Sequence, residues 1–178
     1  MTIILITGGT RSGKSVRAEA RVRAFVGQPI YLATAEALDV EMSERIAQHR
    51  ARRGPEWIAR DVPLDLAQAL IETDGGGARL IDCLTLWLSN LMHRERDVAR
   101  ETSLLVQTLA RQRSPVVLVT NEVGMGLVPE TPLGRDFRDV AGLAHQRLAR
   151  DADEVHVGVL GLMLRLRPGP VTVHEAGP

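Results

Sequence analysis

Eight residues near the start of the chain, Gly8-Gly9-Thr10-Arg11-Ser12-Gly13-Lys14-Ser15, fit the pattern G-x-x-x-x-G-K-[ST]. The chemistry is that of a phosphate cradle. Glycines at 8, 9 and 13 let the backbone turn successive N–H groups toward phosphate oxygens, Lys14 reaches the β- and γ-phosphates, and the Ser15 hydroxyl ligates Mg²⁺. Lys14 is the only lysine in the chain, every other cation being arginine, which points to a demand for a compact ammonium at this position. An acidic residue closing an apolar run, Asp82 after Arg79-Leu80-Ile81, is the candidate partner of Ser15 at the metal. Asp82 reads equally as the N-cap of a helix over 84–92, and both readings can hold at once.

A second concentration of chemistry lies between these two. Met42, Ile46 and His49 fall on one helical face at i, i+4, i+7, with Arg45 a turn before the histidine and Arg52 and Arg53 a turn after it. A histidine among several cations tends to stay neutral, and a neutral imidazole nitrogen is a nucleophile, while the arginines could hold a polyphosphate. Spacing alone favours the plainer reading of His49 as a solvated residue on a charged helix. Thr120-Asn121-Glu122-Val123-Gly124-Met125-Gly126, extended by Val128-Pro129-Glu130, is a polar, glycine-bearing stretch that suits substrate contact or a long surface connection.

The elements that must position these groups follow from periodicity. Ile3 to Ile6 reads as a buried strand and Val16 to Val26 as a helix, the context the phosphate pattern requires. Pro29 to Ala33 forms a second strand. Asp39 caps a helix over 40–53 that Gly54-Pro55 stops. Arg60 to Val62 is a short strand, Leu64 to Ile71 a helix, and Asp74 to Gly77 a flexible turn. Strand 79–82 and helix 84–92 come next, then a helix over 95–112 with Leu104, Leu105 and Leu109 inward, and a central parallel strand over 116–119. A helix over 137–150 carries Phe137, Val140, Ala141, Ala144 and Leu148 as its core stripe, with His145 beside it in a structural role. Val155 to Leu160 is a strand with His156 pointing outward, and Leu164 to Arg167 with Val171 to Val173 suggest an edge hairpin. Strands alternating with helices predict a single α/β domain over 1–178, a three-layer P-loop nucleotide-binding fold with a mainly parallel, RecA-like central sheet.

Composition narrows the classes. Residues are 44% hydrophobic and formal net charge is zero, which argues against a general nucleic-acid or anionic-membrane binder. Apolar runs are too short for a membrane span, so a cytoplasmic location is expected. The single Cys83 has no partners at metal-ligand spacing and reads as a small buried residue. Aromatics at 3% are too few for a base-stacking platform.

With these residues in place, four stretches, Thr7 to Ser15, Tyr31 to Arg53, Asp82 to Leu91 and Val119 to Val155, resemble the bifunctional cobinamide kinase and cobinamide-phosphate guanylyltransferase family of adenosylcobalamin biosynthesis. The resemblance implies two reactions. ATP or GTP phosphorylates the aminopropanol hydroxyl of adenosylcobinamide, and GTP then donates GMP to adenosylcobinamide phosphate through a histidine–GMP intermediate. By position His49 matches the family's nucleophile. The same carry-over implies catalytic Lys14, Mg²⁺ at Ser15 and Asp82, and nucleotide contacts from Gly8, Gly9, Thr10, Arg11, Ser12, Gly13, Lys14, Ser15, Ala33, Thr34, Ala35, Arg50, Ala51, Arg52, Arg53, Asp61 and Asp82. It further implies a homotrimer. Two rivals use the same loop: a small-molecule kinase with no covalent intermediate, and a GTP-dependent switch. Against the switch, Thr120-Asn121-Glu122-Val123 lacks the lysine and aspartate of the guanine-reading N-K-x-D.

Overall fold

In the computed structural model, residues 1–175 are described. The side chains of Arg45 and Arg52, for which phosphate contact was expected, lie outside the described residues. The elements in chain order are β1 (Ile3–Gly8), α1 (Lys14–Arg23), β2 (Ile30–Ala33), α2 (Val40–Arg53), β3 (Ile58–Asp61), α3 (Leu66–Thr73), β4 (Arg79–Asp82), α4 (Leu84–His93), α5 (Val98–Leu109), β5 (Val116–Val119), α6 (Pro132–Asp151), β6 (Glu154–Val159), β7 (Leu162–Arg167) and β8 (Thr172–Glu175).

The strands form one sheet in the order β3-β2-β4-β5-β1-β6-β7-β8. All pairings from β3 through β6 are parallel, and β7 and β8 add an antiparallel edge. Central strands such as Val116–Val119 are apolar at every position because both faces are covered. On one face Ile4, Ile6, Leu80 and Val117 meet Ala18 and Val22 of α1. On the other, Ile3, Leu5, Ile81 and Leu118 meet leucines of α3 to α5 and Ala141, Ala144 and Leu148 of α6. The result is the three-layer α/β arrangement expected.

Parallel strands deliver their C-terminal ends to one edge of the sheet, where such folds bind ligands. In register, Ala33 stands opposite both Asp61 and Asp82, and Asp82 opposite Val119. Four connections therefore emerge together: the loop after β1, residues 34–39, Cys83, and residues 120–131.

Several expectations need correction. Helix α1 begins at Lys14 and ends at Arg23, because Gly13 in the left-handed region already closes the loop. Helix α6 begins at Pro132 rather than 137: Thr131 accepts a hydrogen bond from the Gly134 N–H (3.1 Å) and Pro132 takes the first turn. Helix α5 is trimmed to 98–109 by the Asp97 cap, and α3 shifts to 66–73. Leu104 is 48% exposed whereas Leu105 and Leu109 are buried, since adjacent positions stand about 100° apart on a helix. His156 points inward and is 2% exposed; its face of β6 is the covered one, while Val155 and Val157 on the other face are half-buried and Val159 is exposed. The Asp74–Gly77 turn is tied down, Asp74 accepting from the Arg113 and Ser114 N–H groups and pairing with buried Arg79. Burial works against the Asp74 carboxylate, but those N–H groups and the Arg113 and Arg79 guanidiniums outweigh it and hold its pKa at about 2.

Candidate active site

The loop between β1 and α1 folds back sharply, with Gly8 at φ 151°, Arg11 at φ 55° and Gly13 at φ 85°. A Cβ on Gly8 would stand 2.6 Å from the Gly158 carbonyl and 2.7 Å from Ser12 Oγ, so β6 packs against this loop too closely for any side chain. Gly9 has open space and an ordinary φ, and its glycine is not required by the backbone. Lys14 Nζ donates to the Gly9 carbonyl across the loop (2.9 Å).

An open cleft of about 1620 Å³ runs along the sheet edge. Thr10 to Ser15 of the loop line it, together with Ala33 and Ala35, Asp61, Asp82, and Met42, Ile46, His49, Arg50 and Arg53 of α2. Helix α2 occupies the predicted span. Asp39 accepts from the Met42 N–H (2.7 Å) at its start, and Gly54 at φ 80° ends it. The stripe Met42–Ile46–His49 does face the cleft, with Arg53 continuing it. Arg50 lies at the rim, paired with Asp61 (3.1 Å); both are exposed, and the pair contributes less than about 1 kcal/mol. Gly8, Gly9, Thr34 and Ala51 do not line the cleft, and Ala51 faces solvent.

Thr34 is fully buried because strand-like alternation sends Ala33 and Ala35 toward the cleft and Thr34 away from it. Its hydroxyl donates to the Cys83 carbonyl and accepts from the Cys83 N–H, both at 2.8 Å. Its own carbonyl accepts from Asn90 Nδ2 of α4 (2.8 Å). Thr34 thus clamps the chain that follows Asp82. Cys83, and not Asp82, takes the N-cap position of α4, with no side-chain cap bond. Burial pushes the Cys83 thiol up to about 11, so it is not a nucleophile near neutral pH.

The Asp82 carboxylate instead accepts from the Tyr31 hydroxyl at Oδ2 (3.2 Å). Burial pushes this carboxyl above its ordinary range, opposed by neighbouring His49, the Tyr31 hydrogen bond and Arg53, while Glu19 adds to the push. The Asp82 carboxyl and the Ser15 hydroxyl, both on this cleft, are hard oxygen donors of the kind that would suit Mg²⁺, whose charge would favour the anion of a desolvated carboxyl.

Two features had no clear sequence signal. Tyr31, the only tyrosine, joins Asp82 to Arg53. A chain of Thr85, Thr120 and His145 holds the start of the 120–131 loop: Thr120 Oγ1 is 2.6 Å from His145 Nε2 and 3.1 Å from Thr85 Oγ1, which accepts from the Asn121 N–H (2.8 Å). His145 is accordingly structural, and burial lowers its pKa against the opposing pull of Glu122. Asn121, Glu122 and Val123 line the cleft, and the Glu122 N–H bonds the Gly8 carbonyl (3.1 Å), joining this loop to the phosphate loop.

The phosphate loop identifies a large class, and the comparison that narrows it spans nearly the whole chain. Residues 4–166 match the family described as cobinamide kinase / cobinamide phosphate guanyltransferase. The chain belongs to this family. Among characterised relatives, the bifunctional adenosylcobalamin biosynthesis protein CobP of Pseudomonas aeruginosa is 43% identical over 171 residues, covering 94% of this chain and 98% of that protein. The corresponding protein CobU of Salmonella typhimurium is 40% identical over 182 residues, covering 93% and 99%. Solved structures at low identity agree on the fold alone. An ATPase of a bacterial type III secretion system superposes with a TM-score of 0.54 at 12% identity, covering 88% of this chain and 50% of that one. A Pyrococcus horikoshii protein gives 0.51 at 10% identity, covering 92% and 85%. In the cleft a phosphate loop, an acidic strand end and a histidine on a separate helix come together. No helix among the described residues is long and apolar enough to cross a membrane.

Proposed function

We propose that this chain carries out both reactions of its family on one nucleotide cleft. It phosphorylates the aminopropanol hydroxyl of adenosylcobinamide with ATP or GTP, then transfers GMP from GTP to the resulting phosphate, giving adenosylcobinamide-GDP. The observation that carries this reading is the placement of His49 on the wall of the cleft that also holds Lys14, Ser15 and Asp82.

In the kinase half, the loop N–H groups and Lys14 hold the triphosphate, and the substrate hydroxyl oxygen attacks the γ-phosphorus. The bond to the bridging oxygen breaks, the nucleoside diphosphate leaves, and the hydroxyl proton passes to solvent water. In the transferase half, a neutral imidazole nitrogen of His49 attacks the α-phosphorus of GTP and pyrophosphate departs. An oxygen of adenosylcobinamide phosphate then attacks the same phosphorus, the phosphorus–nitrogen bond breaks, and His49 is regenerated. Ser15 and Asp82 would hold Mg²⁺, whose contribution is to neutralise phosphate charge. Arg53 lines the same wall and would stabilise charge developing at the α-phosphate. The acceptor would approach over the 120–131 loop, where Met125 and Leu127 are 88% and 95% exposed and suit an apolar macrocycle.

Homotrimeric assembly belongs to the same reading, supported by exposed Leu160, Leu162, Leu166 and Val173 around the β7–β8 edge. So do a cytoplasmic location, supported by apolar runs too short for a membrane span, and the lack of a nucleic-acid partner, supported by zero net charge. Incubation with α-labelled GTP tests the mechanism. Wild type is expected to retain acid-labile, alkali-stable label, and His49→Ala to lose it while still passing γ-label to adenosylcobinamide. Equal α-labelling of His49→Ala and wild type removes His49 as nucleophile, and γ-transfer alone in wild type supports the kinase-only rival.

A further inference from the structure

Tyr31, which the reaction scheme above does not employ, stands at the centre of a stacked assembly. Its ring is 5% exposed, and on its face lies the Arg53 guanidinium, with Cζ 3.4 Å from the ring centroid. Trp57 meets the same ring edge-on, with centroids 6.2 Å apart and planes at 81°. Arg23 of α1 covers the Trp57 ring at 5.3 Å, donates to the Arg53 carbonyl (2.9 Å) and pairs with Glu56 (3.2 Å). The chain from α1 through Trp57 to the last residue of α2 is therefore one packed unit.

The energetics of Arg53 give this unit a direction. A guanidinium only 4% exposed carries a large desolvation cost unless its donors are met. Arg53 Nη1 is buried with no hydrogen-bond partner among the described residues, and its compensation is the Tyr31 ring face and the nearby Asp82 charge. A planar fork held flat on a ring can turn only its edge outward, and Arg53 lines the cleft with Lys14, Asp82 and His49. Such an edge suits phosphate oxygens. The same tyrosine uses its hydroxyl on Asp82 Oδ2 (3.2 Å). Arg53 also lies one helical turn beyond His49, so whatever holds Arg53 holds the C-terminal end of the helix that bears the nucleophile.

We propose that Tyr31 is a positioning residue with two separable functions, its ring setting the phosphate-facing guanidinium of Arg53 and its hydroxyl setting the Asp82 carboxylate. The inference rests on the cleft being the nucleotide site of the reading above.

The test uses the full chain with Tyr31→Phe and Tyr31→Leu, measuring three quantities: Mn²⁺ affinity by electron paramagnetic resonance in the presence of a non-hydrolysable GTP analogue, the affinity for a fluorescent GTP analogue at saturating Mg²⁺, and the rate of α-labelling from GTP. Tyr31→Phe is expected to weaken Mn²⁺ binding about tenfold, the effect of one hydrogen bond to a charged group, and to leave analogue affinity and labelling at saturating metal within about twofold of wild type. Tyr31→Leu is expected in addition to weaken analogue binding about tenfold and slow labelling further, as a displaced guanidinium and a loosened α2 end require. A tyrosine that only supports the fold would lower the urea midpoint of both variants and leave metal and nucleotide affinities at wild-type values, and that result overturns the proposal. Wild type that binds the analogue but never takes α-label defeats the histidine mechanism instead and leaves the affinity measurements to decide on Tyr31.

Discussion

Replacing Thr34 by valine removes one oxygen and almost no volume, which makes it a clean probe of whether this residue touches nucleotide or holds the strand end beneath it. The structure supports the second role. Two hydrogen bonds join its hydroxyl to the backbone N–H and carbonyl of Cys83, in a fully buried setting. Valine leaves the Cys83 N–H without an acceptor, a loss of about 1–3 kcal/mol, and removes one donor from the carbonyl at about 1 kcal/mol. The expected destabilisation is therefore about 2–4 kcal/mol, or a fall in Tm of roughly 5–15 °C for a chain of this size. Because the clamp fixes the residue next to Asp82, metal-dependent rates should fall as well, while nucleotide affinity measured without metal stays near wild type. Urea unfolding with equilibrium binding of a fluorescent nucleotide, with and without Mg²⁺, reads both. Thr34→Ser keeps the hydroxyl and should recover most of the stability. A Thr34→Val protein as stable as wild type that binds metal-free nucleotide poorly would refute the clamp and return Thr34 to the nucleotide contacts.

Two further outcomes follow from local geometry and titration. Gly8→Ala places a Cβ 2.6 Å from the Gly158 carbonyl and should cost about 1–3 kcal/mol by overpacking with a large loss of nucleotide binding, whereas Gly9→Ala, in open space, should leave the unfolding free energy from urea titration within about 0.5 kcal/mol of wild type. His145 and His156 both have pKa values lowered chiefly by burial, opposed by Glu122 and Glu154 respectively. The folded state therefore holds them neutral while the unfolded state takes up protons near 6.5. Stability should be full above that pH and decline as pH falls below it, by at most about 1.4 kcal/mol per histidine per pH unit. Denaturant titrations from pH 7.5 to 5.0 on wild type and on His145→Gln should show a shallower decline in the variant, and an equal slope in both would remove His145 from the account.

The phosphate loop, helix 40–53 with its cap and stop, strand 79–82 and the apolar strand 116–119 were legible because each depends on short-range rules: a glycine pattern, an Asp N-cap, a Gly C-terminus, an unbroken β-branched and leucine run. The placement of His49 toward the loop was half legible. Its stripe with Met42 and Ile46 is a property of the helix, but the cleft it faces exists only once parallel pairing brings Gly8, Ala33, Asp82 and Val119 to one edge. Leu104 and His156 turn opposite to what the chain alone suggests, because orientation depends on what covers each face. Thr34 and Ala51, which the resemblance puts among the nucleotide contacts, do not line the cleft, since strand and helix geometry turn adjacent side chains apart. Tyr31 could not be assigned from sequence at all, since its partners Asp82, Arg53 and Trp57 are contributed by β4, α2 and the segment before β3, and a single aromatic residue carries no periodicity. Residue order alone establishes which chemical groups are present and the local frame of each, because propensity, capping and the phosphate-loop glycines act within a few residues. The tertiary structure alone decided which groups share the cleft, which are buried beneath it, and how desolvation and neighbouring charge set Asp82 and the histidines, because burial and electrostatics depend on distance in space and not along the chain.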